Sequence, residues 1–350
     1  MGSMGEGARF LMGKLAHLIK KNKSGLVAIL LAAGIAGFST AACAGPRVDG
    51  DLLMGDISSH TVKKRESLFD IARKYDMGII ELQAANPGVN PWQPKPGTTV
   101  TVTKRHLLPG ITRDGIVINL AASRLFYFKG PSEVMTFPIA HGKDGWETPV
   151  AATTIVEKRL HPTWTPPPNI RAENPDLPDF IPPGPNNPLG DYALALGLNG
   201  IMIHGTNAPS SIGKRASHGC IRMYPEDIQS LFNAVKKGTP VLITKTPYVL
   251  GWKGNKLYLQ MTPKVHAVSK SKTPKKPKPD KFLHAAVERE AGSEATIDWD
   301  LVDEVMARAD GIPTEIARRP FFGPPAPGNN LDHPQRASLT IINENNLSLR

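Results

Sequence analysis

Between residues 113 and 250 the chain is written in short β-branched and aromatic runs, at 116–120, 125–128, 135–140, 153–156, 202–204 and 241–243. Only one amphipathic helix interrupts them. It opens after Tyr224-Pro225-Glu226-Asp227, with proline and acids in its first turn, and presents Ile228, Leu231, Phe232 and Val235 on one face. Runs of this length with so little helix predict a mainly β domain, sandwich-like or barrel-like with one main helix, and exclude a doubly wound α/β fold. The domain is expected to span residues 113–250, extending to about 262. A proline-rich loop at 161–190 divides its strands. A loop this long inside a compact domain reads as a lid or a substrate wall.

The flanks have different character. Residues 1–44 have the order of an export signal: Lys20-Lys21-Asn22-Lys23, an uncharged stretch, then small residues. Thr40-Ala41-Ala42-Cys43 fits a lipoprotein box, Ala42-Cys43-Ala44 fits an ordinary cut, and residues 25–45 carry no charge over a length that could span a bilayer. All three readings place the mature chain in the periplasm or envelope, and one attaches it to a membrane through Cys43. Residues 45–59 read as a polar linker. From 60 to 103 the order is strand, helix, helix, strand: Thr61-Val62-Lys63, then Ser67 as N-cap ahead of Leu68, Ile71, Ala72 and Tyr75. A second helix at 79–85 stops at Asn86-Pro87-Gly88, and a strand comes after it at 99–102. The Lys/Pro-rich stretch 264–281 reads as a flexible linker. Residues 282–350 read as a mostly disordered tail with a short helix near 298–309.

The chain has two cysteines, Cys43 and Cys220, so a disulfide framework is excluded. Its formal net charge of +11 would suit an anionic partner, but no nucleic-acid-binding signature accompanies it. Cys220 has His204 sixteen residues upstream and lies in Ser217-His218-Gly219-Cys220. A thiol attacks as its thiolate, and an imidazole is its common partner. Backbone N–H groups of Gly219 and Cys220 are natural donors to an oxyanion. His204, His218 and Cys220 also suit zinc, but the spacing is wrong for a knuckle and a fourth ligand is not evident, so no metal and no cofactor is expected. His141 and His161 read as solvated loop histidines.

Two resemblances add to this. Residues 60–103 resemble a LysM module, through the Thr-Val start, Ser67-Leu68, Ile71-Ala72, Tyr75, Glu81-Leu82, Ala85-Asn86-Pro87 and Lys95-Pro96-Gly97, with Arg65-Glu66 where that family usually has Gly-Asp or Gly-Glu. That implies binding to N-acetylglucosamine polymers, against the alternative of an inert spacer. The later run of His204-Gly205-Thr206 and Ser217-His218-Gly219-Cys220-Ile221-Arg222-Met223 resembles the L,D-transpeptidases of the YkuD family. Gly145-Trp146-Glu147-Thr148-Pro149, Trp164-Thr165-Pro166-Pro167 and Gly184-Pro185-Asn186-Asn187-Pro188-Leu189-Gly190 extend the likeness, which is nearest the LysM-containing ErfK/YbiS type. It implies Cys220 as nucleophile, His204 as general acid/base, and the Gly205 carbonyl orienting the imidazole. His218 and Arg222 would hold stem-peptide carboxylates, with Ser217, Asn207 and Tyr192 as further pocket residues. The implied reaction is acyl transfer from a peptidoglycan tetrapeptide, cut between diaminopimelate and D-Ala, to an amine. The amine could belong to the wall, or to a lysine of an outer-membrane protein or lipoprotein. Hydrolysis of the same bond and a non-catalytic wall adaptor are the alternatives.

Overall fold

The computed structural model describes residues 52–130, 133–264 and 279–320. The export segment with Cys43, residues 265–278 of the Lys/Pro-rich stretch, and everything beyond 320 lie outside the described residues. Among the described residues no helix is long and apolar enough to cross a membrane.

The first elements are β1 (Leu53–Met54), β2 (Ile57–Thr61), α1 (Leu68–Lys74), α2 (Ile79–Ala84), β3 (Thr99–Thr103) and β4 (His106–Leu107). β2 and β3 pair antiparallel, with Ile57 opposite Thr103 and Thr61 opposite Thr99. A capping box starts α1: the Asp70 N–H donates to Ser67 Oγ (3.2 Å), and the Ser67 N–H donates to Asp70 Oδ2 (2.8 Å). The helical spacing then places Leu68, Ile71 and Ala72 with Leu82, Val100 and Val102 in one small core. Arg65 takes φ +62°, the left-handed region in which a glycine avoids the Cβ clash.

Next come β5 (Asp114–Asn119), β6 (Arg124–Lys129), β7 (Val134–Pro138), β8 (His141–Gly142), β9 (Ala151–Leu160), α3 (Pro168–Glu173), β10 (Tyr192–Leu196), β11 (Met202–His204), β12 (Arg215–Ser217), β13 (Ile221–Arg222), α4 (Pro225–Ala234) and β14 (Pro240–Thr244). Eight of these strands form one sheet in the order β13-β11-β10-β9-β14-β5-β6-β7, parallel at β11–β13 and β5–β14 and antiparallel elsewhere. The domain is mainly β, with α4 as its main helix. One sheet face packs on α4 through Ile118, Leu125, Ile155, Leu194, Ile203, Ile221, Ile228 and Leu231. On the other face of β5–β6, Val117, Phe126 and Phe128 pack with Leu52, Leu107 and Leu108.

That second face corrects two expectations. Residues 52–59 are not linker: Leu52 is buried, its N–H donates to the Trp252 carbonyl (3.0 Å), and β1 pairs with β4. The apolar Leu52-Leu53-Met54 run is long enough to cover a sheet face. Nor is the region after 282 mostly disordered as far as residue 320. β15 (Tyr248–Lys253), β16 (Lys256–Met261), α5 (Lys281–Ala291), β17 (Thr296–Ile297), α6 (Trp299–Arg308) and β18 (Thr314–Arg318) form a four-stranded sheet, β15-β16-β18-β17, with two helices. Leu250, Leu257, Leu259, Val287, Val302 and Ile316 are its own core. The sheet unites residues on both sides of the Lys/Pro-rich stretch, a pairing that local periodicity does not reveal. The strands at 248–261 therefore belong to this unit rather than extending the eight-stranded sheet.

The first module is docked on the large domain. Glu81 on α2 is buried against Arg124 on β6, with Oε2 2.6 Å from Nη2, and the same guanidinium donates to the Asp76 carbonyl at 3.2 Å. The Tyr224 hydroxyl donates to the Met77 carbonyl (3.3 Å), and the Ile79 N–H to the Ile212 carbonyl (3.2 Å). Backbone meets backbone at Gly78 and Gly213, where a Cβ on Gly78 would stand 2.9 Å from Gly213 Cα. At the rim, Arg73 makes a two-pronged, half-exposed pair with Glu226. Burial separates these two ion pairs in energy. Glu81→Ala is expected to cost about 3–5 kcal/mol because it strands a buried guanidinium, whereas Arg73→Ala should cost less than about 1 kcal/mol. Urea unfolding midpoints of the two variants check this ordering.

Candidate active site

Parallel pairing of β11 with β13 sets Ile203 beside Ile221 and His204 beside Arg222. Side chains alternate along a strand, so Ile203 and Ile221 enter the core while His204, Arg222 and, one step before β13, Cys220 share the opposite face. The turn into β13 is held from within. Ser217 Oγ donates to the Cys220 carbonyl (2.5 Å) and accepts the Gly219 N–H (3.2 Å), while Thr148 Oγ1 donates to the Gly219 carbonyl (2.7 Å) and accepts the Gly142 N–H (3.0 Å). Gly219 has φ +101°, which a side chain would strain. The expected oxyanion role of its N–H is corrected, because that donor is already engaged by Ser217.

His204 is buried at the end of β11, and its Nδ1 lies 2.7 Å from the Gly205 carbonyl oxygen. An Nδ1–H donated to that oxygen leaves Nε2 with its lone pair, the tautomer of a base. Burial first, then the Arg222 charge, lower the imidazole pKa to about 4 against the pull of backbone hydrogen bonds at Gly205 and Leu189. Burial pushes the Cys220 thiol up, opposed by a backbone hydrogen bond from Met202 and by Arg222. The thiol donates to the Gly200 carbonyl at 3.4 Å. At neutral pH the two groups therefore rest as thiol and neutral imidazole, not as the imidazole-supported thiolate expected from the motif.

The other expected site residues divide. Arg222 is half-buried, and its Nε has no hydrogen-bond partner. His218 turns its Nε2 to Glu173 Oε2 (2.9 Å) and its ring edge to Trp146 (centroids 4.8 Å apart). Ser217 is buried and acts on the turn rather than in a pocket. Asn207 is exposed and donates to the Asn186 carbonyl (3.1 Å), fastening the base of the 161–190 loop. Tyr192 is corrected: its ring packs on Phe232 of α4 at 5.1 Å with the core, and only its carbonyl reaches the site's backbone, accepting the Gly205 N–H at 3.1 Å. His141 is corrected as well. It lies in β8, paired with β12, and burial and then Arg215 bring it down to about 4. His161 is exposed beside Asp191 (3.3 Å).

Residue-level reading missed the roles of Thr148, Asn187 and Glu173. The buried Asn187 amide donates to the carbonyls of Pro162 (2.8 Å), Ile181 (3.2 Å) and Pro182 (3.2 Å), which closes the neck of the loop. An Asn in a Pro/Gly-rich loop is a signal that could have been read. Glu173 carried none, being 45 residues from His218. Among the described residues no group of three or more His, Cys, Asp or Glu could hold a metal ion.

A family model described as the L,D-transpeptidase catalytic domain (YkuD) matches residues 113–243, and a LysM domain model matches residues 60–103. The chain is 37% identical over 279 residues to the Escherichia coli (strain K12) protein named probable L,D-transpeptidase YcfS, covering 77% of this chain and 86% of that one. It is 42% identical over 207 residues to probable L,D-transpeptidase YbiS of the same strain, covering 57% and 67%. The solved Ldtfm-avibactam carbamoyl enzyme aligns over 40% of this chain and 51% of its own, at 26% identity and TM-score 0.32.

The geometry predicts two pH dependences. If His204 serves Cys220 as base, its pKa of about 4 predicts an acylation rate that stays level as pH falls through 6.5, the ordinary histidine value, and drops only near 4. Folding stability should fall within that window, where the rate is level. The unfolded imidazoles of His204 and His141 take protons before the folded ones do, so their contribution is intact above about pH 6.5 and is lost as pH falls toward 4. A pH–rate profile and melting temperatures over the same range check both. Thr148→Val should strip partners from two buried backbone groups, costing about 1–3 kcal/mol and slowing acylation, as measured by denaturation and single-turnover kinetics.

Proposed function

This chain belongs to the L,D-transpeptidase family, and on that premise we propose that it is an exported peptidoglycan L,D-transpeptidase acting through a Cys220 thioester. The observation that carries the reading is the buried, neutral His204, fixed by the Gly205 carbonyl on the strand beside the one that Cys220 leads into. The Cys220 thiol gives its proton to His204 Nε2 as sulfur attacks the carbonyl at the L-centre of diaminopimelate in a tetrapeptide stem. The Cys220 N–H faces the developing oxyanion. Collapse breaks the bond to D-Ala, whose nitrogen takes the proton back from His204 and leaves. An acceptor amine then attacks the thioester, its proton passing through His204 to restore the thiol. Arg222, set beside His204 by the strand pairing, suits a stem carboxylate.

The LysM module supplies the glycan contact in this reading. Trp92 is 65% exposed and packs on Phe69 at a centroid distance of 4.4 Å, a surface on which a sugar ring can stack. Because the module is docked through Glu81 and Arg124, glycan held there stays at a fixed offset from Cys220 rather than on a loose tether.

Cys220→Ala should abolish the adduct formed with tetrapeptide or with a carbapenem, read by intact-mass spectrometry; an adduct on the alanine variant removes the assignment. His204→Ala should slow acylation by about 10²–10⁴-fold. Trp92→Ala should lose binding to isolated sacculi while acylation by soluble stem peptide persists. Comparison of muropeptides and wall-bound protein in strains with and without the gene identifies the acceptor as wall amine or protein lysine.

A further inference from the structure

The 161–190 excursion carries a carboxylate of its own into the site. Glu173, the last residue of α3, has Oε2 2.9 Å from His218 Nε2 and 3.6 Å from Lys143 Nζ. His218 is two residues from the nucleophile, and Trp146 walls its other side. The remaining anchors of the excursion are internal or at its base. Arg171 donates to the carbonyls of Leu177, Pro178 and Asp179, and Trp164 bridges to Ile181. α3 buries none of its residues. Among the described residues, Glu173 is thus the side chain by which α3 is hydrogen-bonded to the cysteine turn. Hydrogen bonding to His218, then the Lys143 charge, hold its carboxyl below the usual range, so it is an anion at neutral pH.

The geometry points to Glu173 as a specificity-determining residue: it occupies, in the resting enzyme, the His218–Lys143 pair that receives a free carboxylate of the stem peptide. Exchange of one carboxylate for another conserves the charge-assisted hydrogen bonds, so a free-acid stem can displace Glu173 and release α3 at little cost. A carboxamide brings no charge and cannot make that exchange. The site therefore selects stems that carry a free carboxylate at this position over stems amidated there. This rests on the proposed function, since it concerns the same substrate.

The test uses the full chain with three tetrapeptides: free acid, amidated on the side-chain carboxyl of diaminopimelate, and amidated on the terminal D-Ala. Glu173→Gln keeps the shape and removes the competing charge. It should lower KM for the free acid by about 2- to 5-fold, the scale of one partly exposed charge pair, and the gain should vanish for one of the two amides, which identifies the carboxylate. Lys143→Gln should raise KM for the same free-acid peptides and leave that amide unchanged. Equal responses to all three peptides, or a higher KM in Glu173→Gln with the free acid, would overturn the inference while leaving the transpeptidase reading intact. Failure of the unsubstituted protein to acylate with any of the peptides would overturn both.

Discussion

The candidate active site depends on one short piece of backbone pairing. β11 and β13 run parallel, and the step that sets Ile203 beside Ile221 also sets His204 beside Arg222. A slip of one residue would put Ile203 or Ile221 on the site face and force a histidine or an arginine into a core closed by α4. The apolar pair therefore enforces the register, and the register delivers the chemical groups. The Ser217 and Thr148 hydroxyls extend this control to the turn that carries Cys220, binding backbone groups that a looser loop would give to water.

Burial then sets the electrostatics. It depresses His204 and raises Cys220, and Arg222 works with burial on the first and against it on the second. A resting ion pair would need both groups charged where desolvation disfavours charge. Neutral thiol and neutral imidazole are therefore the lower state. The same balance explains the contrast between Glu81–Arg124, a buried pair that fixes the LysM module, and Arg73–Glu226 at the rim, where water screens the attraction.

The three compact parts lean on one hairpin. β5 and β6 contribute to the main core with one face, and with the other they meet Leu52, Leu107 and the C-terminal sheet residues Val249 and Tyr258. Arg124, on the same hairpin, reaches Glu81 in the LysM module. A module held this way keeps its aromatic surface at a fixed placement relative to the catalytic domain.

The amino-acid sequence alone determined the features that arise from local spacing. The capping box at Ser67, the helix opened by Pro225, the strands at 116–118 and 241–243, and the hydrogen bond of His204 to the Gly205 carbonyl are each set by residues a few positions apart or by an ordered motif. Contacts between distant segments were decided by the tertiary structure. Leu52 against Phe126, β16 against β18 across the Lys/Pro-rich stretch, Glu81 under Arg124, and Glu173 on His218 have no periodicity that announces them. The protonation states belong to that second class as well. Whether His204 and His141 are solvated or neutral depends on how much chain covers them, and that quantity exists only once the sheets have closed.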